Sequence, residues 1–129
     1  MKMKREGKSN FLLSTESRLQ KTLSEIFTKS SFSLNSRQIF VSVLYVDLSP
    51  DLKNAKVYID TFGLENDKDK HDLLKQLNKG FIKQVRGIVA SKVRMKYIPE
   101  ISFFYDNSSE KSARINAIID DEIKKMGLE

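Results

Sequence analysis

The amino-acid sequence predicts one α+β domain whose elements run α-β-β-α-α-β-α around a three-stranded sheet. Helical apolar spacing recurs in several segments, and β-branched or aromatic runs fall between them. The length of 129 residues suits a single core, and no internal repeat marks a second one. With 40% apolar and 31% charged residues, the composition is that of a chain that folds.

The first ten residues carry basic clusters with Gly7, Ser9 and Asn10, so residues 1–13 are expected to form a flexible basic arm. From Ser14 onward a helix is expected, because Leu19, Leu23, Ile26 and Phe27 recur along one face. Residues Ser30 to Ser36 are rich in serine and asparagine, whose side chains compete with backbone pairing, and predict a loop. Ile39 to Val46 is a β-branched and aromatic run that predicts a buried strand. Ser49-Pro50-Asp51 supplies a turn, and Ala55 to Phe62 alternates at period two with Ala55, Val57 and Ile59 on one face. These two runs are expected to pair as an antiparallel hairpin.

Gly63 breaks the strand, and the charged stretch from Glu65 to Asp72 leads into a helix carrying Leu73, Leu74 and Leu77. Gly80 ends or kinks that helix. A further helix follows, with Phe81, Ile82, Val85, Ile88, Val89 and Val93 as its apolar face. Pro99 prevents its continuation, and Ile101 to Tyr105 reads as the third strand. After the turn Asp106-Asn107, Ser108 is expected to cap a last helix that packs through Ile115, Ile118, Ile119 and Ile123. The domain then spans residues 14–118, and residues 119–129 form the end of this helix and a tail.

Lys and Arg number 23 against 17 Asp and Glu, a net charge of +6, with a pI near 9.5. Polyanions are the natural partners of such a chain. On a continuous helix, Lys79, Lys83, Arg86 and Arg94 fall within an arc of about 80°, and the apolar face centres about 160° away. Burying that face turns the cations outward. Lys92 and Lys96 add charge nearby, and no Asp or Glu occurs between Lys75 and Tyr97. A merely solvated helix face usually carries both signs, so this one suits a phosphate backbone. Tyr58 and Phe62, opposite Val57, are candidates for stacking on bases.

Much chemistry is missing. The chain has no cysteine, so disulfides, thiolate metal sites and a cysteine nucleophile are excluded. His71 is the only histidine, which leaves zinc without a ligand set. Asp120-Asp121-Glu122 occupies adjacent helical positions and reads as solvation. Neither the phosphate-binding loop G-x-x-x-x-G-K-[ST] nor G-x-G-x-x-G occurs. A non-enzymatic protein without cofactor, metal or small-molecule substrate is expected. No apolar run approaches the ~18 residues that cross a bilayer, and a cytoplasmic monomer with no membrane partner is expected.

The element order with its basic second helix pair resembles the type II KH fold, although the KH loop G-x-x-G is absent. The chain is similar to the ribosome-binding factor A family, in which a helix-kink-helix replaces that turn. The residues that carry the match are Val41-Ser42-Val43 through Ser49-Pro50-Asp51-Leu52, then Ala55-Lys56-Val57-Tyr58-Ile59, and Gly80-Phe81-Ile82-Lys83 to Pro99-Glu100. The most specific piece runs from Pro99 through Phe103-Phe104-Tyr105-Asp106-Asn107-Ser108. At the kink the family commonly carries Ala-x-Gly, where this chain has Asn78-Lys79-Gly80.

The resemblance implies a KH-like domain that associates with free small (30S) subunits, not translating ribosomes. It implies help with late processing and folding of 16S rRNA, a demand typical of growth at low temperature. A protein with no energy-releasing site acts by binding one RNA conformation better than another. The expected phosphate contacts are Lys79, Lys83, Arg86, Lys92, Arg94 and Lys96, with Arg18 and Lys21 as secondary ones. The competing readings are a general KH-type RNA-binding module and a protein-interaction adaptor that recruits a maturation enzyme.

Overall fold

Ser9 accepts a hydrogen bond from the Leu12 amide at 3.1 Å and so caps helix α1, Asn10–Lys29. The helix therefore begins at Asn10 and not at Ser14, because the cap and Leu12 extend the apolar face by one turn. The computed structural model describes residues 7–106 and 109–125. Of the expected flexible arm, residues 1–6 lie outside that range, and Lys8 is tied to the domain: its ammonium lies 2.5 Å from Glu16 and 2.6 Å from Asp47.

The segment expected as a loop contains a strand. Strand β1, Phe32–Leu34, pairs with β2, Arg37–Leu48, through a two-residue connection in which Asn35 and Ser36 have φ of 54° and 65°. Two positive φ values make the tight turn whose twist suits a hairpin. Strand β3, Asn54–Phe62, pairs antiparallel with β2 as the alternation predicts. The register shifts between Val43 and Tyr45, and there the Leu44 carbonyl accepts from the Gln20 side chain of α1 at 2.8 Å. Strand β4, Glu100–Tyr105, lies parallel to β3. The sheet thus has four strands in the order β1-β2-β3-β4, not the expected three.

Gly63 ends β3 with φ of 104°, and a Cβ there would meet the Gln38 carbonyl at 3.1 Å. Asn66 then caps α2, Asp67–Gln76, accepting from the Asp69 amide at 2.8 Å. A π-helical turn, Leu77–Phe81, joins α2 to α3, Ile82–Lys92. Asn78 and Gly80 both fall in this turn, the kind of insertion that redirects a helix. The last helix, α4, is Glu110–Lys125. The expected cap Ser108 lies outside the described residues; Ser109 accepts from the Ser112 amide at 3.1 Å.

One face of the sheet presents Val46, Leu48, Val57, Ile59 and Phe103 to α1 and α3, and all five are buried. Each such side chain contributes about 1.5–3 kcal/mol by leaving water. Phe27 of α1 meets Phe103 edge-on with ring centroids 5.6 Å apart. Two expected core residues face outward. Ile88 is 37% exposed and Ile118 50% exposed, because Val85 and Val89, and Ile115, Ile119 and Ile123, already fill the buried faces of α3 and α4.

Candidate nucleic-acid interface

Lys79 stands in the π-helical turn, and Lys83 and Arg86 follow on α3. Lys79 and Lys83 are exposed, since Leu77, Val85 and Val89 turn the opposite side of the helical run into the core. Arg86 is half-buried. Its guanidinium lies 3.6 Å from the Glu100 carboxylate and donates to the Ile98 carbonyl at 3.4 Å.

Helix α3 ends at Lys92, where Val93 turns extended, so Arg94 and Lys96 belong to the loop 93–99. The single helical ribbon expected from the sequence is therefore not what the fold builds. Its cations divide between two grooves. The first, of about 580 Å³, runs along β4 between α3 and α4 and is lined by Lys56, Lys79, Lys83 and Arg86, with Asp120 on the α4 side. The second, of about 660 Å³, lies between α1, the Asp51–Lys53 turn and the loop 93–99, and gathers Arg18, Lys53, Arg94 and Lys96. Glu100 lines both, so the Arg86–Glu100 pair stands where they adjoin.

Two of the expected phosphate-binding residues lie outside both grooves. Lys92 is 3.9 Å from Glu25 of α1, and Lys21 is exposed on α1. Conversely, Lys53 and Lys56 join the site unforeseen. Lys56 projects from the outer face of β3, where period-two alternation with buried Ala55 and Val57 is a readable signal. No ion pair forms at Lys53, Lys56, Lys79, Lys83, Arg94 or Lys96 among the described residues. Asp51 joins Glu100 as an acidic member of the second groove. A hydrogen bond from the Ser49 hydroxyl and another from the Lys53 amide hold its carboxyl below the usual carboxylate range.

Of the expected stacking residues, Tyr58 is buried and lies parallel to Tyr45, with centroids 4.5 Å apart. Phe62 is exposed beside its cross-strand neighbour Phe40. His71 is not an isolated surface residue, because its Nε2 lies 3.1 Å from Glu122 and joins α2 to α4. The acidic run on α4 is likewise engaged: Asp120 pairs with Lys124 at 3.3 Å and Asp121 with Lys125 at 3.1 Å. Among the described residues no cluster of acidic or histidine side chains suits a metal ion, and no helix is long and apolar enough to cross a membrane.

A sequence profile of ribosome-binding factor A matches residues 12–119. The chain belongs to the ribosome-binding factor A family. It is 44% identical to the ribosome-binding factor A of Carboxydothermus hydrogenoformans over 88 residues, 68% of either chain. The Halothermothrix orenii member is 35% identical over 103 residues, 78% of this chain and 79% of that one. Among solved structures, the fold is similar to a putative ribosome-binding factor A of Thermotoga maritima, with a TM-score of 0.62 and 26% identity over 81% of this chain and 95% of that one. It is also similar to the crystal structure from Thermus thermophilus, with a TM-score of 0.58 and 24% identity over 73% of this chain and 94% of that one. A homology model of the Thermus factor, fitted into a cryo-EM map of its complex with the 30S subunit, matches with a TM-score of 0.56 and 24% identity over 72% and 92% of the two chains. The ribosome-binding factor A segment takes in the basic residues of both grooves, and Phe11 of the second groove stands just before it.

Proposed function

We propose that this protein binds free small ribosomal subunits through a KH-like domain and assists late maturation of 16S rRNA. Lys79, Lys83, Arg86, Arg94 and Lys96 bind RNA phosphates, joined by Arg18, Lys53 and Lys56; Lys92 and Lys21 contribute at the margins. The observation that carries the reading is that the cations of the grooves, Arg86 excepted, form no ion pair among the described residues, although 17 carboxylate residues are available in the chain. Each phosphate they neutralise releases condensed counterions, which drives binding with little regard to base identity. Family membership and the 30S complex of the Thermus relative direct the choice of RNA.

The protein acts by binding alone, as a cytoplasmic monomer. It prefers one conformation of the rRNA, raises its population and is later displaced. Cells need it most at low temperature, when misfolded RNA escapes slowly.

Sedimentation of the tagged protein from a cell lysate tests this reading. Comigration with free small subunits is the expected result. Recovery with scattered transcripts assigns a general RNA-binding module instead, and recovery in a ribosome-free protein complex assigns an adaptor.

A further inference from the structure

The second groove differs from the first in having exposed aromatic rings. Phe11, in the first turn of α1, is 61% exposed, and Tyr97, in the loop 93–99, is 74% exposed; both line the groove. Neither ring takes part in the core. Leu52, Met95 and Ile98 add apolar surface to the same lining. Lys96 stands 5.6 Å from the centre of the Tyr97 ring, so a cation and an aromatic face occupy one spot.

Charge decides what such a groove attracts. Arg18, Lys53, Arg94 and Lys96 form no ion pair among the described residues. The four cations outnumber the two carboxylates of the groove: Asp51 accepts from Ser49 and from the Lys53 amide within reach of the Lys53 charge, and Glu100 lies against Arg86. Exposed rings among unpaired cations form the arrangement that binds single-stranded nucleic acid, with bases stacked on the rings and phosphates held by the cations. A regular duplex keeps its bases stacked inside and offers nothing to the rings.

We propose that this groove takes an unpaired nucleotide of RNA, its base against Phe11 and Tyr97 and the flanking phosphates on Arg18, Lys53, Arg94 and Lys96. The proposal rests on the RNA-binding reading above and adds a preference to it. The grooves divide the work: Lys79 and Lys83 track the backbone of any RNA, and the aromatic groove requires a base freed from pairing. The protein thereby distinguishes an unpaired rRNA segment from the same segment once paired.

The test uses a short RNA carrying one 2-aminopurine, single-stranded or annealed to its complement, with the full chain and its F11L, Y97L and K83E variants. Stacking on the rings quenches 2-aminopurine, so quenching is expected with the wild type and is lost in the doubly substituted F11L/Y97L protein. Each ring substitution weakens single-strand binding by about tenfold and leaves duplex binding unchanged, since stacking is worth that much per base. K83E weakens both.

Single-strand affinity and quenching that survive in F11L/Y97L overturn the proposal and leave the phosphate-binding reading intact. Displacement of the RNA by a free nucleoside triphosphate assigns the groove to a mononucleotide and also overturns it. Unchanged RNA binding with loss of small-subunit association assigns the rings to a subunit protein, again against the proposal. A wild-type protein that binds neither RNA overturns both readings.

Discussion

The side-chain amide of Asn78 pairs with both backbone polar groups of Phe103: its Oδ1 accepts from the Phe103 amide at 2.8 Å, and its Nδ2 donates to the Phe103 carbonyl at 3.0 Å. Two residues further along β4, Asn116 of α4 repeats the arrangement on Tyr105, at 2.8 Å and 2.5 Å. Strand β4 is the edge of the sheet, and these two buried amides take the place of a fifth strand. The same pairing anchors the π-helical turn and so sets where Lys79 and Lys83 stand.

Asn78→Ala removes both bonds, together with a third from Nδ2 to the Leu74 carbonyl at 3.1 Å, and strands the buried Phe103 amide and carbonyl. A loss of about 2–4 kcal/mol is expected in equilibrium urea unfolding. A loss below about 0.5 kcal/mol shows that water or a neighbour replaces the side chain without cost.

Lys8 ties the start of α1 to β2 through Glu16 and Asp47, and Glu16 is almost wholly buried. Burial pulls the Lys8 pKa down, but the hydrogen bonds and charges of Asp47 and Glu16 outweigh it and raise the pKa above 10.5. Because the folded pKa lies above the unfolded one, this stabilisation is complete at neutral pH and is lost as alkaline pH rises through the folded value. Lys8→Met is expected to cost about 1–2 kcal/mol at neutral pH, since the cluster is part-buried and Glu16 keeps the Leu48 amide as a donor. Its thermal midpoint should fall less steeply than that of the wild type above pH 10.5; parallel curves contradict the assignment.

Gly80 lies in the π-helical turn without a positive φ, and a Cβ added there meets nothing within 4 Å. The turn does not depend on glycine's freedom. Gly80→Ala should stabilise the protein by about 0.5–1 kcal/mol through the unfolded chain. Destabilisation in urea unfolding means that the turn opens in a way only glycine permits.

The ion pairs rank the cations. Lys83 forms none among the described residues, whereas Lys92 lies beside Glu25 and Arg86 beside Glu100. Lys83→Ala should therefore weaken RNA binding more than Lys92→Ala. Glu100→Gln should strengthen it by about threefold at low salt, by freeing Arg86 and removing a carboxylate shared by both grooves. Filter binding at two salt concentrations checks both; a Glu100→Gln protein that binds RNA less well contradicts the account.

Local signals carry most of the framework and little of the site's geometry. Ile39 to Val46 and Ala55 to Ile59 are legible because period-two packing is written in adjacent residues. Strand β1 is not, because three residues among serines become a strand only through pairing with β2 and the Asn35-Ser36 turn. The wheel that groups Arg94 with Lys83 fails since the helix stops at Lys92, well before Pro99, with Val93 as the only local sign. Counting acids between Lys75 and Tyr97 overlooks Glu25 and Glu100, which reach the cations across the fold. Asn78 is legible as a residue that tolerates a kink, but its partner Phe103 is a tertiary fact.

The most direct test is binding of the Lys79→Glu/Lys83→Glu protein to purified free small subunits, measured by sedimentation over a range of salt, with its fold checked by circular dichroism. Wild-type affinity should fall linearly with salt on logarithmic axes, and the double variant should bind at least tenfold more weakly, with a slope shallower by about 2, near 0.9 for each phosphate no longer neutralised. A folded double variant that sediments with small subunits as the wild type does, at every salt concentration, contradicts the account.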